Sequence, residues 1–565
     1  MLKTPPGTHS VDRLFADVER RCASLQPGGW TDWSDDAFGR RRDILTDAQT
    51  LVSGRCAETT ADASARLDAA LCRHELQLRI EAIDFRVHAF PVNQLLGVPN
   101  QTSDGLRIPF HLMNRRTLET PADATEYIEL IAASEDHLRQ MADALRTGLR
   151  RGILPPSSAV VGAQTALRDL LRGSPVTTDG ETHPIHQDFM ARGARIPGLS
   201  PATLRECEQR LVAALSGPFR RGYLQIEEVL GEMARAGRST FGVCDLPDGE
   251  AYYDHCLRLW SGTAEDADQI HRLGLTEIER LSEEIRSLHA TAPASQSFAE
   301  LADRWRADPD YCYPDTPDGA AAYLTRVRTL SSAVFARLDQ VTSWRPVALL
   351  QIDPVEPSRQ SSSLYAEFYP AVAGKPSLYL INTGDMTRLP RAELAALAFH
   401  ESVPGHHLQI CATQERSDLA QFRRRPFQYE SYCEGWAMYS EQLGCELLAD
   451  LLSTSDRLGC LTRRLWMAAR MVIDTGIHAR RWTREQAVAF YAAHTFAPRS
   501  MIAQEVDRLS VWPGQAVSYH RGYLAFNGLR TAPQRGDLEL RALHDRVFQL
   551  GPMPVGMLQQ QLFNG

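Results

Sequence analysis

From Leu389 to Gln409 the chain reads LPRAELAALAFHESVPGHHLQ, a helical pattern that Pro404 and Gly405 interrupt just after a His-Glu pair. A proline ring clashes with the carbonyl four residues back and cannot donate to it, so no regular helix runs from His400 past Pro404. Gly405 loosens the backbone at the same place. A kink or widened turn is therefore expected between Val403 and His406. That bend decides which side chains can meet. On an unbroken helix His400 and His406 stand about 240° and 9 Å apart, and His407 about 10.5 Å from His400. Neither pair then grips one ion. A turn that absorbs about two residues brings a late histidine back toward His400.

The body that carries this bend reads as mostly α. SVDRLFADVERRCASL opens on Ser10 as an N-cap and repeats apolar residues at helical spacing. ATEYIELIAASEDHLRQMADALRTGLRRG is a long amphipathic helix stopped at Gly152, ahead of Pro155 and Pro156. The stretch from Ser200 to Gly237 reads as two helices interrupted near Gly217 and Pro218, and TEIERLSEEIRSLHA as another. The second half adds SLYAEFYPA (363–371) and PSLYLINTG (376–384), aromatic and β-branched runs joined by a turn-like spacer. They predict a small antiparallel hairpin or sheet beside the helix that carries His400. The fold expected is a two-lobed helical one with that sheet next to the active helix.

A chain of 565 residues exceeds one simple core. The Ala/Pro/Ser stretch from His289 is the candidate break. It divides an N-terminal helical region, 1–289, serving as a cleft wall or lid, from a catalytic region, 290–565, the alternative being a loop within one continuous domain. With 43% hydrophobic and 23% charged residues the composition is that of an ordinary soluble protein. The net charge of −9 and scattered arginines disfavour nucleic acid as a partner. No apolar run of the roughly 18 residues needed to span a bilayer is present, and the first residues show no signal-like apolar segment, so no membrane partner is expected. The 11 cysteines form no CxxC pair. Reduced, packed thiols in a cytoplasmic protein are the expectation.

The chemistry concentrates between His400 and Glu441. Two imidazoles and a carboxylate can hold a zinc ion and leave a position for water, which a neighbouring carboxylate activates. His400 is one expected ligand. His406 is the second, since its Gly-His step is similar to that of several zinc peptidases, with His407 the alternative. On a second helix, YESYCEGWAMYSEQLG, Glu430, Glu434 and Glu441 fall on one stripe among Trp436, Met438 and Tyr439. Three acids in an aromatic-rich helix point to a cation, with Glu434 as third ligand and Glu430 or Glu441 orienting a ligand histidine.

AFHESVPGHHLQ followed by EGWAMYSEQLG resembles the signature of the bacterial domain-of-unknown-function family 885, which is grouped with gluzincin-type metallopeptidases. FPVNQLLG (90–97), GILPP (152–156), VIDTGIHARRWTREQAVAFY and WPGQAVSYHRGY are similar to other parts of that family. The second block is also similar to the gluzincin aminopeptidase motif whose glutamate is the third zinc ligand, a role the resemblance carries to Glu434. It implies a zinc-dependent hydrolase of short peptides or amides, with Glu401 taking the water proton and passing it to the leaving amine. By analogy with helical oligopeptidases, His478 and Tyr519 are the expected donors to the tetrahedral intermediate, with His520 a weaker alternative. The strand SLYLINT could pair with an extended substrate. Two other readings use the same residues: a non-haem iron oxygenase with a two-histidine, one-carboxylate triad, and an inactive helical scaffold that keeps a metal. Glu401 beside His400 favours hydrolysis over both.

Overall fold

A computed structural model describes residues 9–25, 30–56, 63–86, 108–178, 180–288, 297–356, 360, 365–372, 375–497 and 499–563. The structure divides into two compact units, one of Arg13–Ala61 with Ala69–Gly249, the other of Met1–Asp12, Asp62–Asp68 and Glu250–Gly565. The stretch from His289 expected to mark a break, 289–296, and the FPVNQLLG segment lie outside the described residues.

In the first unit the long amphipathic helix forms over Pro121–Arg150. Thr120 and Asp123 close a reciprocal capping box at its start, satisfying backbone donors that a helix N-terminus leaves open. Its buried face, with Tyr127 and Leu138, packs into a core with Phe189, Phe219 and Tyr223. The interruption expected at Gly217 and Pro218 is gentler than a break. Leu215–Phe219 forms one π-turn that joins Pro201–Ala214 to Arg220–Ala236, widening the helix enough to admit the proline.

The second unit holds every expected site residue. Its only sheet among the described residues has three strands, β1 (Leu350–Pro354), β2 (Ala366–Tyr369) and β3 (Ser377–Ile381), in the order β1-β3-β2. β2 and β3 form the expected antiparallel pair, with Ala366 opposite Ile381 and Tyr369 opposite Leu378. β1 runs parallel to β3, so the sheet is mixed rather than purely antiparallel. β3 sits in the centre with both edges used, which removes SLYLINT as the strand for an added peptide. Among the described residues, β2 is paired on one side only.

Two helix pairs frame the unit. Ala267–Leu288 packs on Thr454–His478, where a side chain at Gly274 would run into Val472. Glu430–Leu447 packs on Val517–Thr531 with backbones in contact: a Cβ on Gly435 would overlap Gly522, and one on Gly522 would overlap the Ser431 carbonyl. Cys445 and Cys460 form a disulfide between the Glu430–Leu447 and Thr454–His478 helices. The expectation that every thiol is reduced is thereby corrected.

Candidate metal centre

The helix carrying His400 is Leu394–Glu401, apolar and buried along its whole length. It ends at Glu401, and a new helix starts at His406 and runs to Gln414. The bend is thus a full break through residues 402–405, sharper than the kink expected. Three contacts hold it. Ser402 bonds the Ala398 carbonyl. His407 N–H donates to the Ser402 carbonyl at 3.2 Å. Trp436 Nε1 donates to the Pro404 carbonyl at 2.8 Å from the facing helix. Gly405 is required, because a Cβ there would overlap the carbonyl oxygens of His400 and Phe399.

The break turns His406 back onto His400, with ring centres 4.8 Å apart and planes nearly perpendicular. Glu434, on the Glu430–Leu447 helix, completes the group. Its Oε2 lies 3.3 Å from His400 Nε2 and 3.5 Å from His406 Nε2. All three side chains are buried, and one ligand atom from each lies within 4.8 Å of the others. Donors about 2.0–2.1 Å from a tetrahedral zinc stand about 3.3–3.4 Å from one another. The observed spacings fit that geometry. Glu434 Oε2 is fully buried and makes no hydrogen bond, which is costly for a carboxylate oxygen unless a cation faces it. The donor set therefore fits a divalent ion, and two imidazoles with one carboxylate suit zinc or iron.

The electrostatics point the same way. Burial pulls the His400 ring toward neutrality, but the carboxylates of Glu434 and Glu441 outweigh it and hold its pKa at about 10. Burial raises Glu434, yet the charges of His406 and His400 hold it well below the usual carboxylate range. The group demands positive charge. His400 Nδ1 meets Glu441 Oε1 at 3.0 Å, and Arg463 Nε meets the same oxygen at 3.2 Å. Glu441 is fully buried and thus fixes the ring so that Nε2 faces Glu434. Glu430 stands apart from the ligand atoms. Gln515 Nε2 donates to it at 2.9 Å, while burial and the charge of Glu434 push its pKa up to about 8.

Glu401 is buried next to His400, and no hydrogen bond among the described residues holds its carboxylate. His407 points elsewhere. Its Nδ1 faces Cys411 Sγ at 3.6 Å, and burial lowers its pKa to about 4, so it is a neutral packed histidine. Tyr519 is close enough to feel the site: burial first, then the charge of Glu434, raises its phenol pKa. His478 is not brought to the centre. It is fully buried, with Nε2 at 2.9 Å from the Leu509 carbonyl and its ring on Tyr253. It lies fifteen residues, about 22 Å of helix, beyond Arg463. The role expected for it is corrected on that ground. His520 is likewise buried, bonded to Glu277 at 3.0 Å.

Sequence reasoning missed Arg463, Phe368 and Phe427. Phe368 on β2 packs 5.8 Å from the His406 ring, and Phe427 packs edge-on to the same ring at 5.2 Å. Phe427 holds a φ of 55°, a strained conformation for a bulky residue. Only Arg463 left a signal, as an arginine inside the apolar run CLTRRLWMAARMVI.

The molecule so described is a mostly helical protein with a small mixed sheet and a buried His-His-Glu group able to hold a metal ion. The chain matches the family described as "Bacterial protein of unknown function (DUF885)" over residues 23–562, and it belongs to that family. Its fold is similar to that of a "putative lipoprotein" from Colwellia psychrerythraea, with a TM-score of 0.88, 24% identity and 98% of each chain covered. It is also similar to a "putative lipoprotein of unknown function" from Shewanella oneidensis, with a TM-score of 0.70, 16% identity, and 99% of this chain and 100% of that one covered. No curated protein matches the chain. The cytoplasmic assignment does not stand: it rested on reduced thiols, whereas Cys445 and Cys460 are bonded and the similar structures carry lipoprotein descriptions. No helix among the described residues is long and apolar enough to cross a membrane.

Proposed function

We propose that this protein is a zinc-dependent hydrolase that cleaves peptide or amide bonds in short substrates, and that it works outside the cytoplasm. One observation carries the chemistry: an unbonded, buried Glu434 oxygen faces two imidazole nitrogens at 3.3 and 3.5 Å, with Glu401 beside the first of them. His400, His406 and Glu434 would hold the ion, which supplies a Lewis acid that acidifies water and polarises a carbonyl. Glu401 is free to accept a proton from that water and deliver it to the departing amine. Glu441 and Arg463 fix the His400 ring. Tyr519, protonated at neutral pH, is available to donate to a developing oxyanion. Phe368 places β2 against His406, beside the centre. An oxygenase has no use for a carboxylate at position 401. The extracytoplasmic assignment rests on the disulfide, a bond that persists in oxidising compartments.

The test is a peptide-library digest read by mass spectrometry, with and without chelator, alongside metal analysis of protein purified without added metal. Zinc and chelator-sensitive cleavage are expected, with Glu401→Gln retaining the metal and losing about 100-fold or more in rate. Iron with oxygen-dependent turnover, or unchanged cleavage in Glu401→Gln, overturns the reading.

A further inference from the structure

The Cys445–Cys460 disulfide lies one turn from the groups that hold His400. Cys445 follows Glu441 by four residues and Cys460 precedes Arg463 by three, about 6 and 4.5 Å along their helices. Those two helices find their main neighbours elsewhere: Glu430–Leu447 on Val517–Thr531, and Thr454–His478 on Ala267–Leu288. Where they meet each other, Arg463 Nε bonds Glu441 Oε1 at 3.2 Å and Arg464 reaches Gln442 at 3.4 Å. The disulfide closes the same junction.

The segment bearing His400 is wedged into that junction. A Cβ on Gly444, beside Cys445, would overlap the Phe399 ring, and Phe399 immediately precedes His400. A Cβ on Gly459, beside Cys460, would overlap the Ala392 carbonyl, two residues before the Leu394–Glu401 helix. The cross-link thus pins two helices against both ends of the short helix that carries the ligand. Glu441 is fully buried and meets His400 Nδ1 at 3.0 Å. A buried carboxylate cannot exchange a lost partner for bulk water, so a shift between the two helices is passed on to the ring.

We propose that this disulfide is a redox-sensitive element of the metal centre. Its oxidised form holds Glu441, Arg463 and the His400 ring in the arrangement that grips the ion, and its reduction loosens that grip. The reductant is a dithiol. One of its thiolates attacks Sγ of Cys445, which is partly exposed, and the S–S bond breaks with buried Cys460 as the leaving thiolate, which takes up a proton. The second thiolate of the reductant then displaces Cys445, which is protonated in turn. Two electrons and two protons have entered the protein, and the reductant departs as a disulfide. Tight ion binding therefore follows oxidation of the cysteine pair. This inference rests on the metal-binding part of the reading above and not on the reaction assigned to it.

The experiment measures zinc affinity by chelator competition on the full chain, as purified and after reduction by a dithiol that is then removed under nitrogen. Circular dichroism checks that both forms are folded. Reduction is expected to weaken zinc binding about tenfold or more. Replacing both cysteines with Ser should reproduce the reduced value, with or without the dithiol. In Glu441→Gln, where the ring anchor is already lost, reduction should change the affinity by less than about twofold. Equal zinc affinity of the oxidised and reduced parent overturns the proposal, and that comparison needs no variant. A further tenfold loss on reducing Glu441→Gln overturns it too, since the disulfide then acts by some route other than the anchor of His400. Zinc binding by neither form of the parent overturns the metal reading itself, and this inference with it.

Discussion

At His400 the two ring nitrogens divide their work. Nε2 faces Glu434, while Nδ1 is held by Glu441, which Arg463 holds in turn. Replacing Glu441 with Gln should weaken metal affinity by about 10- to 100-fold, measured by chelator competition, because the ring loses its anchor. His407 supplies a test of a different kind. Its folded pKa of about 4 lies below the ordinary histidine value, so the unfolded chain binds the extra proton first. Its contribution to stability is present above about pH 6.5 and drains away as pH falls toward 4, at up to about 1.4 kcal/mol per pH unit. Denaturant melts at pH 7 and pH 5 should show a smaller loss on acidification in His407→Gln than in the parent protein. The residues facing the metal group were legible because their types and spacing are chemically unusual. Arg463 was not, since a buried arginine is known only once its carboxylate is found. His478 misled for the opposite reason: a core histidine on an apolar helix looks the same in a sequence as one in a site.

Among elements, the decisive one is the four-residue break at 402–405. Pro404 announced it, but not that the helix would stop and restart, because the bond that holds the turn comes from Trp436, 32 positions further along the chain. Gly405→Ala should lower the melting temperature and metal content together, since a methyl there collides with the His400 carbonyl and shifts the ligand itself. The sheet was half legible. The β2–β3 hairpin follows from local pattern, whereas the parallel β1–β3 pairing joins segments separated by a long connection that no periodicity reports. The cysteines show the same limit. Cys445 and Cys460 sit on different helices, and only the packing of those helices reveals the pair. Replacing both with Ser should destabilise the fold by about 2–4 kcal/mol in denaturant titrations, with the same loss on adding reductant to the native protein.

At the scale of the molecule, the proposed metal site makes stability and metal occupancy one equilibrium. An ion bound only by the folded chain adds about 2.7 kcal/mol when present at 100 times its dissociation constant. Chelator should therefore lower the melting temperature and added zinc restore it, while Glu434→Ala melts alike in both conditions. The helical character of the chain was plain from its periodicity. Its partition into units was not, because segments near the N-terminus group with the C-terminal half through contacts distant in sequence.

Gly435 and Gly522 bring two backbones together with no side chain between them. One helix carries Glu434 and the other Tyr519, so main-chain contact sets how closely those two helices approach. Such a joint has no cushion to compress. Whatever gives way elsewhere, these two helices keep their separation, and the chain behaves there as a caliper locked at one setting.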